Sequence, residues 1–152
     1  MLSSKGDNLV FLCGMPRAGT TFLYHNFERH PDIFVPFRRK TNYFSLHSDK
    51  PIRWFFDHFK EMNNEKVAID TETLFFIDRN INSLELIKQV LPESKIIVCV
   101  RSPYDWVVSL YKQISTFDNR IVDFDSFLEG NYTLVEDGCR IRFNYKPGDI
   151  SC

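Results

Sequence analysis

Little in this sequence points to a membrane, a metal or a nucleic-acid partner. No apolar stretch within its 152 residues is long enough to span a bilayer. The opening MLSSKGDNLVFLCG makes a poor secretory leader, because its apolar part is short and runs straight into a loop. The formal net charge of −1 leaves no global field to draw nucleic acid or an anionic lipid surface, so any anion site must come from local placement of arginine and backbone amides. The four cysteines, Cys13, Cys99, Cys139 and Cys152, form no C-x-x-C pair and no cluster with histidine, so no metal is expected. Cys13 and Cys99 fall in apolar runs predicted as buried strands, where cysteine acts as a small hydrophobe. A reducing, cytoplasmic location is the expectation. No repeat, low-complexity tract or linker breaks the chain, and its length fits one domain over 1–152.

What is abundant is phenylalanine, fifteen residues, which predicts an aromatic-rich core. NLVFLC (8–13) is a short apolar run with strand character. TTFLYHNFERH (20–30) spaces Phe22, Leu23 and Phe27 as a helix does, with Pro31 as a stop. DIFVPF is a brief extended piece. PIRWFFDHFKEM (51–62) opens a helix at Pro51; its aromatics Trp54, Phe55, Phe56 and Phe59 fit a core better than a binding stripe. KVAID (66–70) predicts another strand, and INSLELIKQVLPES a helix capped by Asn82 or Ser83 and ended before Pro92. KIIVCV (95–100), apolar throughout, predicts a parallel strand covered on both faces. SPYDWVVSLYKQIST then starts a helix, with Ser102 as cap and Pro103 at its first position. Strands alternating with helices predict βαβ units: an α/β three-layer sandwich with a mostly parallel sheet. The last stretch, 131–152, has weak periodicity and is not placed.

In such sheets ligands bind at the carboxyl ends of strands, where loops enter helices. Two loops qualify. GMPRAGTT, Gly14 to Thr21, fits G-x-x-x-x-G-x-[ST], a backbone cradle for oxyanions at a helix start. Thr20, however, holds the place of the lysine that triphosphate loops need, and the cation sits inside the loop as Arg17. The second loop follows KIIVCV. It offers Arg101 where a magnesium-binding aspartate would serve a nucleotide hydrolase. A cation there repels a metal and attracts a second anion. The expected ligand carries two separate anionic groups. One lies on Pro16, Arg17, Ala18, Gly19, Thr20 and Thr21. The other lies near Arg101, with Ser109 two helical turns into the following helix. A nucleotide with phosphates at both its 5′ and 3′ positions fits.

At these residues the sequence resembles the sulfotransferases that use 3′-phosphoadenosine 5′-phosphosulfate (PAPS). GMPRAGTT is similar to their 5′-phosphosulfate loop, P-[KR]-x-G-T-T. VRSPYDWVVSLY is similar to their 3′-phosphate motif, R-x-P-x-[DE]-R-x-x-S-x-Y, with Arg101, Pro103, Asp105, Ser109 and Tyr111 matching and Trp106 in place of arginine. HPDIFVPFRRKTNYF resembles the segment that lies between the motifs in that family. The resemblance runs over about 8–111. It implies the P-loop-like sulfotransferase fold, PAPS as donor, adenosine 3′,5′-bisphosphate (PAP) as product, no metal, and an acceptor bearing a hydroxyl or amine: a carbohydrate, a tyrosine or a small alcohol. Arg17 and the loop would stabilise charge on the sulfuryl group and the departing 5′-phosphate. Aligning Tyr43 and Phe44 with the family's aromatic pair puts Arg39 and Lys40 on its Lys-Glu, whose glutamate is the general base in many members. Lys40 cannot serve that role with an ordinary lysine pKa. Asp70 and Glu72, at and just past the end of KVAID on the ligand end of the sheet, are the candidate bases, and His47 is a further one.

Blander roles stand beside these. The glycine loop alone could be a plain strand-to-helix turn. Asp70 and Glu72 could be a solvated strand-end pair, and FRRK a solvated face. Ser109 could be an ordinary helix-interior serine. His25, His30 and His58 show no ligand spacing. The competing functions are a P-loop kinase or hydrolase and a non-catalytic nucleotide-binding remnant.

Overall fold

The structure, a computed structural model, describes residues 5–37, 40–72, 82–117, 123–129, 132–137 and 140–145. Arg39, Cys139 and Cys152 lie outside them. The chain divides into two compact units, 1–101 and 102–152.

The first unit runs β1 (Leu9–Gly14), α1 (Thr20–Phe27), β2 (Ile33–Phe34), α2 (Tyr43–Leu46), α3 (Ile52–Asp57), β3 (Val67–Glu72), α4 (Asn82–Val90) and β4 (Lys95–Cys99). Its sheet has the order β2-β3-β1-β4, and every pairing is parallel. Parallel neighbours cannot be joined by tight hairpins, so each strand returns through helical crossovers. Alternation along β1 and β3 then sorts side chains to two faces. Leu9, Phe11, Cys13 and Ala68 meet Tyr43, Phe44, Phe55, Phe59, Met62, Ile87 and Leu91 on one face. Leu12 and Ile69 meet Leu23 and Phe27 on the other. Helices α2, α3 and α4 thus contribute one layer and α1 another, which gives the expected three-layer α/β arrangement.

The phenylalanines do organise the larger core. Phe11 packs edge-on to Phe44 at 5.4 Å between ring centroids, and Phe55 lies 5.4 Å from Phe44 and 5.0 Å from Phe59. Edge-to-face contacts of this kind add to the burial of each ring. Phe55 and Phe59 are fully buried, and Trp54 and Phe56 pack against them, so the aromatic run of 54–59 belongs to the core.

β4 differs from expectation. Ile96, Ile97 and Val98, which alternate between its two faces, keep 40–49% exposure, and among the described residues β4 is the outer strand of this sheet, with β1 as its neighbour. In the second unit, α5 (Pro103–Phe117) begins at Pro103, and the Trp106 N–H donates to the Ser102 carbonyl at 2.8 Å, as a cap residue requires. Tyr111 packs on Phe124 and Phe127 of α6 (Phe124–Leu128) at 5.0 and 5.4 Å. β5 (Tyr132–Asp137) and β6 (Arg140–Tyr145) form an antiparallel pair within the stretch left unplaced from sequence.

Candidate functional site

Because β1, β3 and β4 are parallel and in register, Gly14, Glu72 and Cys99 end on one edge of the sheet. The loop leaving β1 is shaped by its two glycines for different reasons. A Cβ on Gly14 would sit 2.7 Å from Thr20 Cγ2 and 2.9 Å from Cys99 Cβ, so close packing of β1, α1 and β4 forbids a side chain there. A Cβ on Gly19 would meet nothing within 4 Å; its φ of 98° is what calls for glycine. Between them Arg17 takes φ 68°, left-handed and uncommon outside glycine. The Ala18 N–H closes a turn onto the Met15 carbonyl at 3.0 Å. The Leu23 N–H to the Gly19 carbonyl, 3.1 Å, is the bond that opens α1, and no side chain caps this end. The amides of the first turn precede that bond and lack intrahelical partners. With the helix dipole behind them they favour an anion.

Two cations stand at this edge. Arg17 is exposed on the loop. Arg101, two residues beyond β4 and also exposed, donates from Nη1 to the Arg17 carbonyl at 3.0 Å. The second strand end is thereby tied to the first, and a guanidinium is held where a helix start disfavours positive charge unless an anion joins it.

Beneath α2, on the opposite side of the sheet from α1, lie the acids. Asp70 and Glu72 alternate with Ala68 onto the same face. Asp70 is fully buried and accepts two hydrogen bonds from Thr41, from its N–H at 3.1 Å and its hydroxyl at 2.5 Å. Burial pushes its carboxyl up to about 7, against the pull of the Thr41 bonds, the Thr71 N–H and the Lys40 charge. The Thr41 hydroxyl in turn accepts the Tyr43 N–H at 3.2 Å, so one threonine fastens α2 to β3. Glu72, also fully buried, accepts the Ser45 hydroxyl at 3.0 Å. Burial, and then the charges of Glu72 and Asp70, push the Cys13 thiol up to about 12, which removes it as a nucleophile near neutrality. Among the described residues no group of three or more His, Cys, Asp or Glu side chains could hold a metal ion.

A sulfotransferase-domain family model matches residues 7–141, a span that takes in both strand-end loops. The chain belongs to the sulfotransferase family. It is 30% identical over 101 residues to the membrane-associated sulfotransferase kil1 of Dictyostelium discoideum, covering 64% of this chain and 21% of that protein. Its fold matches the crystal structure of a sulfotransferase from Alicyclobacillus acidocaldarius with a TM-score of 0.69 at 18% identity, over 80% of this chain and 56% of that one. The chain therefore spans about a fifth of the curated relative and just over half of the bacterial structure. Among the described residues no helix is long and apolar enough to cross a membrane.

For this sulfotransferase-family chain, the structure brings Pro16, Arg17, Ala18, Gly19, Thr20 and Thr21 together with Arg101 at one sheet edge, and sets Asp70 and Glu72 at the same end of β3. Ser109 lies half-buried on α5 in the second unit and is described with that unit. His47 meets the Trp54 ring edge-on at 5.2 Å, part of the α2–α3 packing. Thr41 and Ser45 went unnoticed as site residues. The only signal for them is that hydroxyls in KTNYFS flank a buried aromatic pair, 29 and 27 residues before the acids they bind.

Proposed function

We propose that this chain carries the donor site of a PAPS-dependent sulfotransferase, transferring a sulfuryl group to a hydroxyl or amine acceptor. One observation carries the reading: the Arg101 guanidinium on the Arg17 carbonyl, 3.0 Å, which gathers two cations and an uncapped helix start at adjacent strand ends. The site suits a ligand with two anionic groups. The close-packed Gly14 and left-handed Gly19 shape a cradle of backbone amides for the 5′-phosphosulfate. In this proposal Pro16, Arg17, Ala18, Gly19, Thr20 and Thr21 hold that group, and Arg101 holds the 3′-phosphate. Ser109 joins Arg101 on the strength of the motif spacing alone. The family match crosses the boundary between the units, which supports treating 1–152 as one domain.

PAPS supplies an activated sulfuryl group whose leaving group is the bisphosphate. Arg17, as the cation inside the loop, neutralises charge that grows on the 5′-phosphate as the sulfur–oxygen bond breaks. The acceptor must lose a proton as its oxygen or nitrogen attacks. Glu72 is the proposed base, and its place at the carboxyl end of β3 beside Cys13 supports it. Asp70 is the weaker candidate, since Thr41 engages both of its oxygens. The acceptor is a carbohydrate, a tyrosine or a small alcohol.

The test is a sulfuryl-transfer assay with labelled PAPS and an acceptor panel, run with and without EDTA. Transfer indifferent to chelator is expected. Arg17→Ala should lower kcat by roughly 10²–10³-fold, with a much smaller change in donor affinity. Turnover of ATP that needs Mg²⁺, with no sulfuryl transfer, would put the kinase or hydrolase reading ahead.

A further inference from the structure

The loop holds a conformation that its sequence does not favour. Arg17 is not glycine, yet it sits at φ 68°. A left-handed residue costs roughly 1 kcal/mol and persists only where the surroundings impose it. The surroundings here act on a single peptide plane. On one side the Ala18 N–H is bonded to the Met15 carbonyl at 3.0 Å. On the other, the Arg17 carbonyl is bonded to Arg101 Nη1 at 3.0 Å. A trans peptide points its N–H and its C=O in opposite directions, so these two bonds together fix the plane between Arg17 and Ala18. That plane immediately precedes Gly19 and the uncapped amides of α1. The Met15 turn is local. The Arg101 bond comes from a residue 84 positions away, at the end of another strand.

We propose that Arg101 is a positioning residue for the phosphosulfate loop as well as a contact for the 3′-phosphate. Its guanidinium carries five donors in a rigid fork, so one N–H can hold the Arg17 carbonyl while others face an anion. The 5′ half of the donor site is thus shaped from the 3′ half. The proposal rests on the donor-site reading given above. Its distinctive consequence is that loss of Arg101 harms binding of a nucleotide that has no 3′-phosphate at all.

The experiment pairs two readouts on wild type, Arg101→Ala and Arg101→Lys. The first is hydrogen exchange of the ligand-free proteins over 14–23, beside their urea midpoints. The second is calorimetric binding of adenosine 5′-phosphosulfate, which lacks the 3′-phosphate. In Arg101→Ala the loop amides should exchange roughly ten-fold faster while the urea midpoint holds, and affinity should fall about ten-fold, the loss of one charge-assisted hydrogen bond. Arg101→Lys keeps a donor for the carbonyl and should restore most of both. Loss of charge alone would weaken binding and leave the ligand-free exchange unchanged, and that result overturns the proposal. So does unaltered affinity for adenosine 5′-phosphosulfate in Arg101→Ala. A wild type that binds no nucleotide contradicts the donor-site reading instead, and the exchange data still decide whether Arg101 clamps the loop.

Discussion

Two groups of residues share the carboxyl edge of the sheet and are built in opposite ways. At the ends of β1 and β4 the important groups are exposed: Arg17, Arg101, Gly19 and Thr21 face solvent, and backbone geometry places them. At the end of β3 the important groups are hidden: Asp70 and Glu72 are fully buried and held by hydroxyls of the 41–45 segment. An anion-binding loop must stay open to a ligand that arrives hydrated, so its strain and its cations sit at the surface. A carboxylate that orders a helix, or later takes a proton from an acceptor, works better away from water. The contrast sets an open, basic half against a buried, acidic half within one edge, and it can be broken at either side.

The largest effect should come from the buried side. Glu72→Gln keeps the shape and an oxygen for Ser45 but removes the basic site. Turnover should fall roughly 10²–10⁴-fold while bisphosphate binding, measured by calorimetry, is unchanged. Asp70→Asn should cost turnover far less. Unchanged turnover in both variants would remove the β3 acids from the chemistry and leave them as fasteners of α2.

At the ends of β1 and β4 the two glycines of the loop should differ. Gly14→Ala drives a methyl group into Thr20 and Cys99, and overpacking of this kind costs on the order of 1–3 kcal/mol, read as a lowered urea midpoint together with weakened nucleotide binding. Gly19→Ala meets open space and is opposed by its φ alone, so its loss should be about 1 kcal/mol and confined to the loop. Equal losses would mean that crowding at the strand end does not shape the cradle.

The most specific effect concerns pH. Asp70 is raised from 3.8 to about 7 in the folded chain. Between those values the folded protein keeps a proton that the unfolded chain releases. This group therefore favours folding below about pH 4, and its contribution is lost as pH rises to about 7. In Asp70→Asn that slope should flatten. Urea midpoints taken at several pH values, identical in slope for the two proteins, would contradict the burial-driven shift.

Much of the exposed side was legible in the sequence, and little of the buried side was. The apolar runs of β1 and β4, the glycine spacing of the loop and Pro103 at the first turn of α5 are local signals, and each element lies within a residue or two of its expected span. α2 has four residues and no periodicity to show. It exists because Thr41 and Ser45 find Asp70 and Glu72, 29 and 27 residues away. β3 runs on through Thr71 and Glu72, where polar residues suggest that a strand has ended. β4 looked like a fully covered strand because its composition reports apolar character, whereas edge position depends on strand order. The left-handed Arg17 could not be foreseen, since the bond on its carbonyl comes from Arg101, on another strand end.

In the proposed donor site one nucleotide with two separated phosphates bridges the Arg17 loop and Arg101. Calorimetric titration of the wild type with adenosine 3′,5′-bisphosphate and with AMP tests it most directly, with Arg101→Ala as the control. The bisphosphate should bind more tightly by about 1.5–3 kcal/mol, the scale of a charge-assisted contact, and Arg101→Ala should remove most of the difference. Equal affinities of the wild type for the two nucleotides would contradict it.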